Sequence, residues 1–142
     1  MRNGKNGDLD PAILTRDAVR FFRNAKGTLG KSEIIRGKFY EDTKYVIESS
    51  GILWIAVLKA IRAHLIRHGV SRKSLPHSRD TYIAMLKKHS VHNGKMITIF
   101  DDLYHIVHLD GYYGGVDSVD LIKEGFQKAR KLIETLTGEK IG

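Results

Sequence analysis

Apolar residues recur along most of this chain at spacings of three and four, the period of amphipathic helices, and nowhere in strict alternation. Leu14, Ala18, Phe21, Phe22, Ala25 and Leu29 mark a first helix. It opens at Asp10-Pro11, an acidic N-cap followed by proline in the first helical position. Gly27 and Gly30 weaken its end, and residues 31–41 read as a connection with room for a short helical turn. From about Asp42 to His68 almost every position is apolar or small, and Glu48, Lys59 and Arg62 share one narrow polar strip. A helix apolar on most sides is a central one. Ser49, Ala56, Ala60 and Ala63 share a face on which a neighbour can approach closely, and Gly69 suits a left-handed cap.

The remaining elements are shorter. Ser71 to His77 is a basic loop broken by Pro76, and Ser78 caps a third helix ending near Ser90. Asn93-Gly94 marks a turn. A fourth helix runs from about Lys95 to Leu109, followed by a loop over 111–115. Asp117 caps the fifth helix, with Asp120 three residues on as in a capping box, and Gly138 ends it. Hairpin signals and internal repeats are missing. The pattern predicts an all-α, five-helix up-and-down bundle with helix two central. It spans 10–138 as one domain, between a mobile N-terminal segment, 1–9, and a C-terminal tail, 139–142.

Composition narrows the function classes. The 142 residues suffice for one self-sufficient core. There is no cysteine, which excludes disulfides, thiolate metal sites and a cysteine nucleophile and fits a reducing, cytoplasmic setting. The N-terminus has no apolar stretch of the kind a secretory signal needs. The longest uncharged apolar run, Ser49 to Leu58, is too short for a membrane span.

Charge changes the picture more than composition does. The formal net charge of +8 is concentrated between Lys59 and Lys95, where nine Lys/Arg face one acid, Asp80. Five of the seven histidines (His64, His68, His77, His89, His92) lie in that stretch. From Met96 to Ile122 there is no Lys or Arg and there are five aspartates. Such polarity speaks to anionic partners or to self-association.

Two segments carry a family resemblance: Phe39-Tyr40-Glu41-Asp42-Thr43-Lys44-Tyr45-Val46, leading into the long apolar helix, and Tyr104-x3-His108-Leu109-x-Gly111-Tyr112-x-Gly114, leading into the last one. Over roughly Ala18 to Leu136 the chain resembles a small family of uncharacterised bacterial helical proteins, whose arrangement is similar to that of HEPN domains. The resemblance implies a HEPN-like bundle, and it implies either an interaction module or, by analogy, a metal-independent ribonuclease.

HEPN ribonucleases use an Arg, about four to six residues, then a His near the start of a late helix. Arg72 and His77 fit that spacing but enclose Pro76, and Arg62 and His68 fit it on the wrong helix. They stand as weak catalytic candidates only. Asp101, His105 and His108 fall within about 60° on a helical wheel. They suit a metal face or an oriented imidazole, but they lie opposite a wide apolar arc, so the expected role is a solvated or polar interface site. Gly30-Lys31-Ser32 resembles the end of a phosphate-binding loop, yet Ala25 stands where that loop needs glycine, and a helix precedes it instead of a strand. Tyr112 and Tyr113 are expected to pack over a bundle end.

The best remaining signal is the basic segment. Arg67, Arg72, Lys73, Arg79, Lys87, Lys88 and Lys95 are the candidate residues for contact with nucleic acid or another anion. The reading is a non-enzymatic, homo-oligomeric binding module for nucleic acid or an acidic protein. It needs no membrane, cofactor or metal, and the ribonuclease is the alternative.

Overall fold

The computed structural model describes residues 10–90 and 93–142. The mobility expected of residues 1–9, and the position of His92, lie outside them. Among the described residues the helices are α1 Pro11–Leu29, α2 Thr43–Arg67, α3 Arg79–His89, α4 Asn93–Leu103 and α5 Val119–Thr137. α4 continues directly into a wider, π-helical stretch, Tyr104–Tyr113. A 3-10 turn, Arg72–Ser74, precedes α3, and two short strands, β1 Ile34–Ile35 and β2 Phe39–Tyr40, lie between α1 and α2.

Local chemistry sets the helix ends. The Asp10 carboxylate accepts from Ala12 N–H at 2.8 Å, and the Asp42 carboxylate from Lys44 N–H at 3.0 Å, each satisfying an amide that the helix leaves open. Ser78 and Thr81 form a reciprocal capping box at α3. Gly69 and Gly138 both take the positive φ that a left-handed exit demands.

The all-α bundle is built around α2, which packs against α1, α3, α5 and the π-helical stretch. α1 lies most extensively along it, with Lys59 reaching Asp17 at 3.9 Å and the Phe21 ring at 5.3 Å. Ser49, Ala56, Ala60 and Ala63 are fully buried, as close helix approach requires. The core joins Phe22 of α1 edge-on to Phe126 of α5, 5.7 Å between centroids. Beyond α5 the chain still packs. Ile141 is buried, its N–H donates to Glu134 Oε2 at 2.8 Å, and its carbonyl accepts from Arg23 at 2.9 Å. Among the described residues no helix is long and apolar enough to cross a membrane.

Three local expectations are corrected. Residues 31–41 form a small antiparallel hairpin, with Ile34 opposite Tyr40 and Ile35 opposite Phe39. Its strands are two residues long, too short to show alternation, and its turn places Arg36 as well as Gly37 at positive φ. Asn93-Gly94 begins α4 and is not a separate turn. Ser118, not Asp117, caps α5 by accepting from Leu121 N–H at 3.2 Å, because the Asp117 carbonyl is taken by Tyr40 N–H of the hairpin at 2.9 Å and the chain turns one residue later.

Candidate functional site

The π-helical stretch sets the geometry of the most distinctive surface. Gly114 N–H donates to the Leu109 carbonyl, five residues back, at 2.8 Å. Long runs of this geometry are rare, and shorter ones often mark functional sites. Gly111 is where the stretch meets α2. A Cβ there would lie 2.2 Å from Ser50 Oγ, so only glycine permits the approach. With bonds spanning five residues, steps of four and five come into line along the helix. Tyr104, His108, Tyr112 and Tyr113 therefore fall in one row, facing Trp54 of α2.

His108 is the hub of that row. Its ring is stacked on Trp54 at 5.0 Å and parallel to Tyr112 at 6.2 Å, and it meets Tyr104 at 5.4 Å and Tyr113 edge-on at 5.1 Å. Trp54 in turn stacks on Phe100 at 5.5 Å. His108 Nδ1 is buried and has no hydrogen-bond partner among the described residues. Burial lowers the pKa of this imidazole below its ordinary value, which favours the neutral form. The wide turns thus bring His108 against Trp54, half-buried, while His105 stays exposed.

Beside this row, Glu48, Gly51, Ile55 and Tyr112 border a groove of about 400 Å³. Gly51 leaves the space into which Tyr112 leans, since a Cβ there would lie 3.0 Å from the tyrosine ring. The surrounding apolar surface is large. Ile47 and Ile55 of α2 are exposed, and Tyr112 and Tyr113 remain 42% and 69% exposed. The expected packing of these tyrosines over a bundle end is only partial. Ile47 continues the strip toward the hairpin, because Gly115, against which it packs, leads to Ser118, the bridge partner of Phe39.

The oppositely charged segments meet where α3 and α4 pack together. Arg79 of α3 pairs with Asp101 of α4 in a very close contact, with Asp80 at 3.1 Å, and lies over the Tyr104 ring at 5.2 Å. Hydrogen bonding to Asp101 raises its pKa further. His105 is exposed; its Nδ1 contacts the Asp101 carbonyl at 2.9 Å and the carboxylate at 3.9 Å. Arg79 is therefore tied to carboxylates, apart from the other basic candidates. Among the described residues no three His, Cys, Asp or Glu side chains come together as a metal would require.

The other cations lie mostly toward the opposite end. Arg67 and His68 end α2, Arg72 and Lys73 sit in the 3-10 turn, and Lys87 and Lys88 occupy the last turn of α3, all exposed. Lys95 at the start of α4 touches Lys131 of α5. That contact and like-charge repulsion lower the Lys131 pKa. Lys131 was not singled out by spacing, because it sits among the alternating charges of an ordinary amphipathic helix. The His64 and His68 rings lie 4.2 Å apart, and His64 Nε2 contacts the His89 carbonyl at 3.2 Å and Ser90 Oγ at 3.0 Å. Burial first, then His68, lowers the His64 pKa.

Neither arginine–histidine pair forms a unit. Arg72 and His77 are exposed and share no bond. Arg62 donates to Tyr82 Oη at 2.9 Å and to the Pro76 carbonyl at 3.2 Å, which ties the basic loop and α3 to α2, while His68 Nδ1 contacts the His64 carbonyl at 2.8 Å.

No protein with a curated description matches the chain. A solved structure, a protein of unknown function from Dyadobacter fermentans, is similar with a TM-score of 0.73 and 26% identity, over 92% of this chain and 98% of that one. Residues 14–138 match the family described as Domain of unknown function (DUF5618), a span that takes in every helix from the first turns of α1 to the cap of α5, and the chain belongs to that family.

Proposed function

We propose that this protein is a non-enzymatic interaction module that pairs with a second copy of itself and holds an anionic partner at its basic end. The observation that carries the reading is the apolar strip of α2 and the π-helical stretch, where Ile47, Ile55, Tyr112 and Tyr113 lie exposed and Ile55 and Tyr112 border one groove. Contiguous exposed apolar side chains of this kind mark association surfaces. Tyrosine and tryptophan are the residues that anchor such contacts. A strip along one helix face can meet its own image across a two-fold axis. Sedimentation equilibrium is the test. A dimer is expected, and Ile55→Asp with Tyr113→Ser should return it to a monomer. A mass that stays monomeric at all accessible concentrations defeats the pairing.

Arg67, Arg72, Lys73, Lys87, Lys88 and Lys95, joined by Lys131, supply the anionic contact, with nucleic acid as the partner and a cytoplasmic setting that fits the lack of cysteine. Phosphate contacts of this kind weaken steeply with salt. Fluorescence anisotropy with labelled RNA and with a labelled DNA duplex, at two salt concentrations, reads this directly. An acidic protein becomes the partner to pursue if neither is bound at low salt.

A second reading, a metal-independent ribonuclease with a HEPN-like arrangement, is favoured by the adjacent imidazoles of His64 and His68 among those cations. It requires RNA cleavage in chelator that His64→Ala and His68→Ala both abolish. Intact RNA after incubation with the wild type removes it.

A further inference from the structure

A second cavity lies on the other side of the bundle, between α1, the hairpin and α5, with a volume of about 470 Å³. That is within the range of small-molecule sites, roughly 300–1,000 Å³. Its floor is aromatic and apolar, including Phe22, Tyr40 and Phe126. Its charged lining consists of Lys26, Lys123 and Arg130, and among the described residues no carboxylate borders it. None of these three cations is in an ion pair among the described residues. Arg130 instead lies over the Phe22 ring at 5.5 Å, which holds its guanidinium beside the floor.

Tyr40 adds a donor to the lining. Its side chain is only 6% exposed, and its hydroxyl makes no hydrogen bond among the described residues, so it is open to a ligand. Burial raises its pKa, so it remains a neutral donor at physiological pH. The neighbouring Ser32 hydroxyl is already used, donating to the Glu33 carbonyl at 3.0 Å and accepting from Asp42 N–H at 3.0 Å.

We infer that this cavity is a binding site for a small organic anion with a flat apolar body, an aromatic carboxylate in its simplest form. The ring would lie against Leu29, Ile34 and the edge of Phe126. The carboxylate would draw on Lys26, Lys123 and Arg130, in charge-assisted bonds stronger than neutral ones, with Tyr40 as a further donor. This site is separate from the apolar strip and from the basic end, and stands or falls without them.

The test uses 2-naphthoate and its neutral isostere 2-naphthamide as probes, by titration calorimetry on the full chain, with NMR shift perturbation to locate binding. 2-Naphthoate is expected to bind more tightly than millimolar, and 2-naphthamide about tenfold or more weaker, as loss of the charge-assisted bonds implies. Perturbations should fall on α1, the hairpin and α5. Lys26→Gln, Lys123→Gln and Arg130→Gln should each weaken 2-naphthoate. Tyr40→Phe should do so without altering the fold, checked by thermal melting. No binding of 2-naphthoate, equal binding of both probes, or perturbations centred on Trp54 would each overturn the assignment.

Discussion

The His108 imidazole stacks on the Trp54 indole, 5.0 Å between centroids and 25° between planes, while its buried Nδ1 has no partner among the described residues. Burial lowers its pKa, so the folded protein binds this proton less readily than the unfolded chain. The sign follows from linkage. The contribution to stability is complete above the ordinary histidine pKa of about 6.5 and is lost progressively as pH falls through that value toward the folded pKa. His64 acts in the same direction. Melting temperature should fall between about pH 7.5 and pH 5.5. His108→Phe, which keeps a ring and removes the titration, should fall less steeply. An identical slope in wild type and variant would exclude His108 as a contributor.

Gly111→Ala should destabilise the protein by about 1–3 kcal/mol, the usual cost of overpacking a close contact. The added Cβ would lie 2.2 Å from Ser50 Oγ and 2.8 Å from Ser50 Cβ. Ser50→Gly in the same chain should recover part of the loss despite its own helix penalty. Chemical denaturation of the double-mutant cycle measures this coupling, and strictly additive effects would show that the contact does not limit the approach.

Arg62→Ala should cost about 1–3 kcal/mol, because it strands the Tyr82 hydroxyl and the Pro76 carbonyl that it now satisfies. Arg67→Ala, at an exposed position in the last turn of the same helix, should change stability by no more than about 0.5 kcal/mol. Equal effects would contradict the structural role of Arg62.

Arg79 and Arg72 should separate in a nucleic-acid titration. Arg79 is held by Asp101 and Asp80, whereas Arg72 is exposed and has no ion pair among the described residues. Arg72→Gln should lower the salt dependence of binding by about one phosphate contact. Arg79→Gln should leave that slope unchanged. A slope reduced by Arg79→Gln would place the contact surface beside the aromatic row.

Much of this architecture could be read from residue spacing. Asp10-Pro11 gave the start of α1, the apolar girth of α2 gave its central place, and Gly138 gave the end of α5, because each is a local signal whose physics does not depend on the rest of the chain. The site was less legible. A wheel drawn at 3.6 residues per turn joins Asp101, His105 and His108. The wide turns instead join Tyr104, His108 and Tyr112, where Gly111 meets Ser50, 61 positions away in sequence. The ring partners of Trp54 likewise come from a remote segment. The pairing of Arg79 with Asp101 joins two segments whose opposite charge was visible, while the residues that meet were not. The hairpin left no signal because two-residue strands have no period.

The wide helical turns also constrain chain length. Within Tyr104–Tyr113 the loss or gain of a single residue would swing His108 out from between Trp54 and Tyr112 and carry Gly111 away from Ser50. The exposed Arg36-Gly37 tip of the hairpin, ahead of the Lys38 carbonyl that accepts from Val119 N–H, can lengthen at little entropic expense. Natural length variation among proteins of this kind should therefore gather at the hairpin tip and leave the stretch from Tyr104 to Gly114 at constant length.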